Sequence, residues 1–153
     1  MKKLYIIIIC IMVFASCKKE PNMERNPNDT GHDINELRKK ILYEGDTNAY
    51  ECLSIEYFDE DDGWTAFLPY AIIMSNKTNY HVASFDVFTN IRIIYRDEKL
   101  DSIDEATAKL AIEYLEKSAK TGSEQAINEL NKLPKNSNKM TYKEKFIYIN
   151  TER

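Results

Sequence analysis

Residues 111–130 read AIEYLEKSAKTGSEQAINEL, which sets out Ala111-x2-Tyr114-Leu115-x-Lys117-Ser118-Ala119-x2-Gly122-x3-Ala126-x3-Leu130. Apolar side chains at Leu110, Ala111, Tyr114, Leu115 and Ala119 return every third or fourth residue, the spacing of one helix face. Gly122 ends that helix, because glycine takes the left-handed conformation of a helix terminus at little cost. Ser123 caps a second helix through its hydroxyl. That helix carries Ala126, Ile127 and Leu130 and stops at Pro134. Upstream, Ser102-Ile103-Asp104-Glu105 has the order of a capping box and opens the first helix of the pair.

Working outward, the same turn recurs twice. Gly45-x3-Ala49-x3-Leu53 is followed 34 residues later by Asn79-x3-Ala83-x3-Val87, and 43 residues after that by the Gly122 copy. Gly or Asn accepts the left-handed turn, Ala four residues on lets two helices approach, and Leu or Val one turn further fills the seam. Periods of this size belong to helical-hairpin arrays. Between the copies, Asp33-Ile34-Asn35-Glu36 opens a helix with Ile34, Leu37, Ile41 and Leu42 on its apolar stripe. Asp46 caps the next helix, faced by Ala49, Leu53 and Tyr57, and the acidic loop Asp59–Gly63 follows. A third helix through Phe67, Ala71, Ile72 and Met74 must hold Pro69 in its first turn or kink there. A fourth spans about Tyr80 to Tyr95. The tail 135–153 is polar until Phe146-Ile147-Tyr148-Ile149, whose conformation the pattern leaves open. Only four Gly and four Pro in 153 residues argue against a turn-rich β-sandwich, and an all-α chain is expected.

The 111–130 stretch resembles one Sel-type repeat, a relative of the tetratricopeptide repeat, with Ser118 where the family usually has Ala. The likeness covers about twenty residues, is partial in the other two copies, and lacks the family's extended Gly-rich loop after Leu130. It implies a short right-handed α-α solenoid of about three antiparallel helix pairs, preceded by a flexible tether. It further implies a scaffold for protein binding without catalytic residues. In such arrays the first helix of each pair lines the concave side, which here designates Arg38, Tyr70 and Glu113 as partner contacts.

The amino terminus carries a separate signal. Lys2 and Lys3 precede an apolar run from Leu4 to Ala15, the length of a leader's hydrophobic region and short of the roughly twenty residues that cross a bilayer. Phe14-Ala15-Ser16-Cys17 then resembles the lipobox of bacterial lipoproteins, with Phe14 where Leu is usual. The resemblance implies cleavage before Cys17, a diacylglycerol on its thiol and an acyl chain on the new amine. Residues 18–31 read KKEPNMERNPNDTG, a charged Pro/Asn-rich stretch that has too little apolar surface to fold and should tether the domain with a reach of about 20 Å. Lys18-Lys19-Glu20 weakly resembles the export tag of Bacteroidota surface lipoproteins. The leaflet therefore stays open, with the outer membrane the expected address.

Chemistry-bearing patterns are sparse. The net charge of −4 disfavours nucleic acid, which asks for a basic face. Cys10 leaves with the leader and Cys17 takes lipid, so Cys52 is alone in the exported domain, with no intramolecular disulfide, and reads as a small core residue. His32 and His81 lack partners at metal-ligand spacing. Asp59, Asp61 and Asp62 before Gly63 hint at calcium without the twelve-residue EF-hand order, and a solvated loop is the default. Tyr57, Phe58, Trp64 and Phe67 flank that loop. Most should pack in the core, and Trp64 is the expected exception, an anchor for a partner.

The expected organisation is a signal peptide over 1–16, lipidated Cys17 and linker over 17–31, a helical-repeat domain over 32–134 and a tail over 135–153. The chain reads as a lipid-anchored envelope protein that binds a protein or peptide. It is not expected to be an enzyme, to hold a cofactor or metal, or to use a small-molecule substrate. An immunity lipoprotein that neutralises an envelope-targeted toxin fits the same features, and an enzyme with an unrecognised site is the weakest reading.

Overall fold

The computed structural model describes residues 33–58 and 63–151. The leader, the lipobox with Cys17, the tether with His32 and the acidic loop 59–62 lie outside the described residues. Among those described, every regular element is a helix.

Helix α1, Ile34–Lys39, starts on Asp33, whose carboxylate accepts from the Asn35 amide, and continues as a wider π-type turn over Lys40–Glu44. Gly45 closes it at φ +70°. Helix α2, Thr47–Phe58, begins where Asp46 Oδ1 accepts from the amides of Asn48 and Ala49. Helix α3 spans Gly63–Thr78 and α4 spans His81–Ile94, with Asn79 between them at φ +56°. A 3-10 turn over Asp97–Ser102 leads to α5, Glu105–Lys120. Gly122, at φ +104°, precedes Ser123, whose hydroxyl accepts from the Ala126 amide to cap α6, Glu124–Asn131. A short 3-10 turn, Ser137–Lys139, precedes α7, Tyr142–Thr151. All three turn positions read from the repeat thus have positive φ, and Ala49, Ala83 and Ala126 behind them are buried. At the start of α5 the capping residue is Asp104, which accepts from the Thr107 amide; Ser102 instead donates to the carbonyl of Lys99.

Consecutive helices from α1 to α6 pack on one another, most extensively α4 with α5 and α3 with α4. Their seams are aromatic and aliphatic: Tyr50, Leu53, Phe67, Met74, Val87, Phe88, Ile112 and Leu115 are all fully buried. Each such side chain contributes about 1.5–3 kcal/mol through removal from water. Side chains also tie alternate helices. Lys77, near the end of α3, donates to the carbonyls of Leu42 and Tyr43 at the end of α1. Lys117, near the end of α5, donates to the carbonyl of Ser75 at 2.8 Å and to Asn76 Oδ1 at 3.3 Å, near the end of α3. The carboxyl-terminal turns of α1, α3 and α5 therefore adjoin, and each lysine places its positive charge against the carbonyl end of the preceding first helix.

Pro69 lies inside α3, past its first turn, because the helix already begins at Gly63. Phe67, fully buried with its ring 5.0 Å from Tyr50 and 5.8 Å from Tyr57, holds the segment before the proline in register. Leu110 and Ile127, expected on apolar stripes, are instead 38% and 42% exposed. The buried face of α5 is instead Ala108, Ala111, Ile112, Tyr114, Leu115 and Ser118, while α6 packs mainly on α5 and leaves Ile127 outward. Ile34 and Leu42 are likewise exposed beside the buried Leu37 and Ile41. The open question of 142–151 also closes: α7 packs on α5 and puts Phe146 and Ile149 into the common core. The carboxylate of Glu105 accepts from the amides of Tyr142 and Lys143 and so caps α7 from the start of α5.

Candidate functional site

Where α4 ends, the chain turns sharply. Tyr95 leaves helical geometry, Arg96 is extended and Asp97 adopts φ +56°, a left-handed conformation that Asp tolerates better than most residues. This bend projects side chains into two adjoining clefts of about 560 and 500 Å³ that share Ile93, Arg96 and Asp97. The larger adds Arg92, Leu100, Lys132 and the α7 residues Ile149, Asn150 and Thr151. The smaller adds Trp64, Thr65 and Ile94, with Glu98 and Lys99 from the 3-10 turn. Four separate stretches of chain meet here.

The charge arrangement is specific. Arg92 Nη1 lies 3.2 Å from Glu129 Oε1, and Lys132 Nζ lies 2.9 Å from Glu129 Oε2. One carboxylate, only 17% exposed, thus serves two cations. The Arg92 guanidinium also sits 5.4 Å from the centre of the Phe88 ring, within cation–π distance. Arg96 meets Asp97 only at 3.8 Å, with both side chains more than 70% exposed, a pairing of little energetic weight.

A second polar cluster joins α2 to α4. The Tyr50 hydroxyl donates to Asp86 Oδ2 at 2.7 Å, and the Tyr80 hydroxyl donates to Glu51. Burial raises the Asp86 carboxyl above its usual range, and the Tyr50 hydrogen bond opposes that rise. Burial also raises the Tyr50 phenol, with the Asp86 charge adding to it. The Tyr80 phenol is pushed up to about 12 by burial and by its bond to Glu51. Phenols held protonated in this way are hydrogen-bond donors and not bases. The arrangement is a strut between helices.

The residues singled out from the pattern are distributed as follows. Arg38 is half-buried, donates to the Tyr57 hydroxyl and sits 5.8 Å from the centre of that ring. The Tyr70 ring is 6.1 Å from Tyr57, and its phenol is raised by burial, with Arg38 pulling the other way. Tyr57 therefore brings Arg38 and Tyr70 together. Trp64 is partly exposed and lines the smaller cleft. Glu113 is exposed on α5 and pairs with Lys109 one turn back at 3.7 Å. Cys52 is half-buried against the core, and His81 lends its backbone carbonyl to the Ser118 hydroxyl. Among the described residues no group of three or more His, Cys, Asp or Glu is placed to hold a metal ion, and no helix is long and apolar enough to cross a membrane.

Compared with protein-family models, curated proteins and solved structures, the chain matches none.

The groove around Arg96 therefore stands on its own geometry. Sequence reasoning reached Trp64 and passed over Arg92, Arg96, Lys132 and Ile149. The doublet Ile93-Ile94 bracketed by Arg92 and Arg96 was a usable signal, since apolar residues flanked by arginines suit a contact surface. Lys132 and Ile149 offered none, because only packing brings α6 and α7 to this place.

Proposed function

We propose that this protein is a lipid-anchored envelope protein, non-catalytic, whose helices form a small protein-interaction module. The observation that carries the interaction reading is the groove at the end of α4, where Trp64 opens beside arginines and aliphatic side chains. Partly exposed Trp and Arg in a concave site are the residue types that dominate binding energy at protein interfaces.

The solenoid reading, with α1–α2, α3–α4 and α5–α6 as stacked antiparallel pairs like Sel-type repeats, is supported by two sets of ties. Lys77 and Lys117 link first helices to first helices. Tyr50 to Asp86 and Arg92 to Glu129 link second helices to second helices. Repeat arrays draw their stability from such contacts between neighbouring units. The anchor reading rests on Phe14-Ala15-Ser16-Cys17 behind a leader-like apolar run.

Two experiments test the two halves. Metabolic labelling with a radioactive fatty acid should mark the wild-type protein and leave Cys17→Ser unlabelled and released from membranes, since acyl chains contribute about 0.8 kcal/mol per buried methylene. Affinity capture from envelope extracts should recover a partner that Trp64→Ala loses and that Lys120→Ala, at an exposed site on α5, retains. A Cys17→Ser protein that stays membrane-bound after leader cleavage overturns the anchor. Capture that ignores Trp64 overturns the groove as the contact surface.

A further inference from the structure

The larger cleft is lined by three cations, Arg92, Arg96 and Lys132, and one acid, Asp97, in a chain whose net charge is −4, while the smaller cleft is balanced in charge. Arg92 and Lys132 share the single carboxylate of Glu129, so one positive charge at that triad has no matching acid. Glu129 is mostly buried and Arg92 is held over Phe88, so the excess charge is presented from a fixed and partly dehydrated position. Arg96, shared by the two clefts, is 72% exposed and only loosely paired with Asp97. It is available to turn toward an incoming anion. Ile93, Ile94, Leu100 and Trp64 supply apolar wall beside these charges.

A lone phosphate would satisfy the arginines and leave the Trp64 side unused. A nucleic acid strand asks for a continuous basic face, which Asp97, Glu98 and the acidic chain around them interrupt, whereas a short peptide can keep its carboxylates at the larger cleft. An extended peptide fits both halves, because its side chains alternate and can place an acid toward Arg92, Arg96 and Lys132 and an apolar group toward Trp64. We propose that the groove at the end of α4 binds an extended acidic peptide segment of a partner protein, with at least one carboxylate beside Arg96 and one large apolar side chain against Trp64. This deepens the interaction reading above and rests on it.

The test uses a phage-displayed random peptide library selected against the full chain. Selected peptides should be enriched in Asp and Glu alternating with large apolar residues, and salt should weaken their binding. Arg96→Glu and Trp64→Ala should each lower affinity by about tenfold, the scale expected when an interface anchor is removed. Arg96→Glu should also gain affinity for the same peptides resynthesised with Lys in place of the acids. That charge-swapped recovery cannot arise from a variant that merely fails to fold. Selection of basic or uncharged peptides, selection of none, or binding indifferent to Arg96→Glu overturns the proposal. If capture from envelope extracts still depends on Trp64 in that case, the interaction role stands and only the acidic peptide falls.

Discussion

At Gly45 a Cβ would come within 2.8 Å of Thr78 Cγ2, while at Gly122 one would meet nothing within 4 Å. Both residues have positive φ, +70° and +104°, so any replacement strains the backbone. They differ in conformation as well as in surroundings, since Gly45 has a φ that other residues can adopt and Gly122 lies well beyond it. Gly122→Ala should cost at least about 1–2 kcal/mol from backbone strain alone. Gly45→Ala carries less backbone strain but adds a clash, because Thr78 must move where α3 ends against the turn after α1. Urea unfolding of Gly45→Ala, alone and with Thr78→Ser, separates the two effects, and a loss that Thr78→Ser does not relieve would show that the Thr78 contact yields freely. Asn79 makes the related turn at φ +56°, which its short polar side chain tolerates. These conformations were legible in the sequence, because a left-handed residue after a helix depends on that residue's own sterics.

Among the elements, α2 and α4 are joined by a buried hydroxyl–carboxylate bond, Tyr50 to Asp86. The Asp86 pKa is raised in the fold, chiefly by burial, so the folded protein keeps that proton to higher pH than the unfolded chain. Its stabilising contribution is fully present below about pH 4, the ordinary carboxyl value, and is lost as pH rises through the folded pKa. Asp86→Asn keeps an oxygen to accept from Tyr50 and carries no charge. It should therefore be more stable than the wild type at pH 7, with the gap narrowing as pH falls toward 4. Asp86→Ala should instead destabilise by about 1–3 kcal/mol, since it strands the Tyr50 hydroxyl in the core. Denaturant titrations across pH decide this, and a gap independent of pH would mean that Asp86 titrates normally. Nothing in the local sequence marked Asp86. Its burial follows from α2 docking on α4, a contact across 36 residues of chain.

For the molecule as a whole, α7 is the least anticipated part. It follows a polar stretch, yet Phe146 stacks edge-on against Phe88 of α4 at 6.0 Å and Ile149 lines the larger cleft. Glu105 caps it, and Lys143 returns a bond to the carbonyl of Asp101 at 2.7 Å. A chain ending before Tyr142 should lose several kcal/mol, since burying Phe146 and Ile149 contributes about 1.5–3 kcal/mol each. It should also lose the peptide site, whose wall α7 completes. Thermal unfolding measures the first effect. A truncated chain as stable as the full one would make α7 an appendage instead of part of the core.

Local sequence specifies the helical class, the turns at Gly45, Asn79 and Gly122, and the caps at Asp33, Asp46 and Ser123. Each depends on interactions within one turn of chain, between a side chain and the backbone beside it. Tertiary structure alone decided that Pro69 lies inside α3, that Leu110 and Ile127 face water, and that α7 joins the core. It also decided that Trp64, Arg92, Arg96, Lys132 and Ile149 share one groove. Burial is a property of what docks on a helix face, and an apolar stripe specifies a face without naming its neighbour. Where α3, α4, α6 and α7 converge, the groove belongs to the packing of all four.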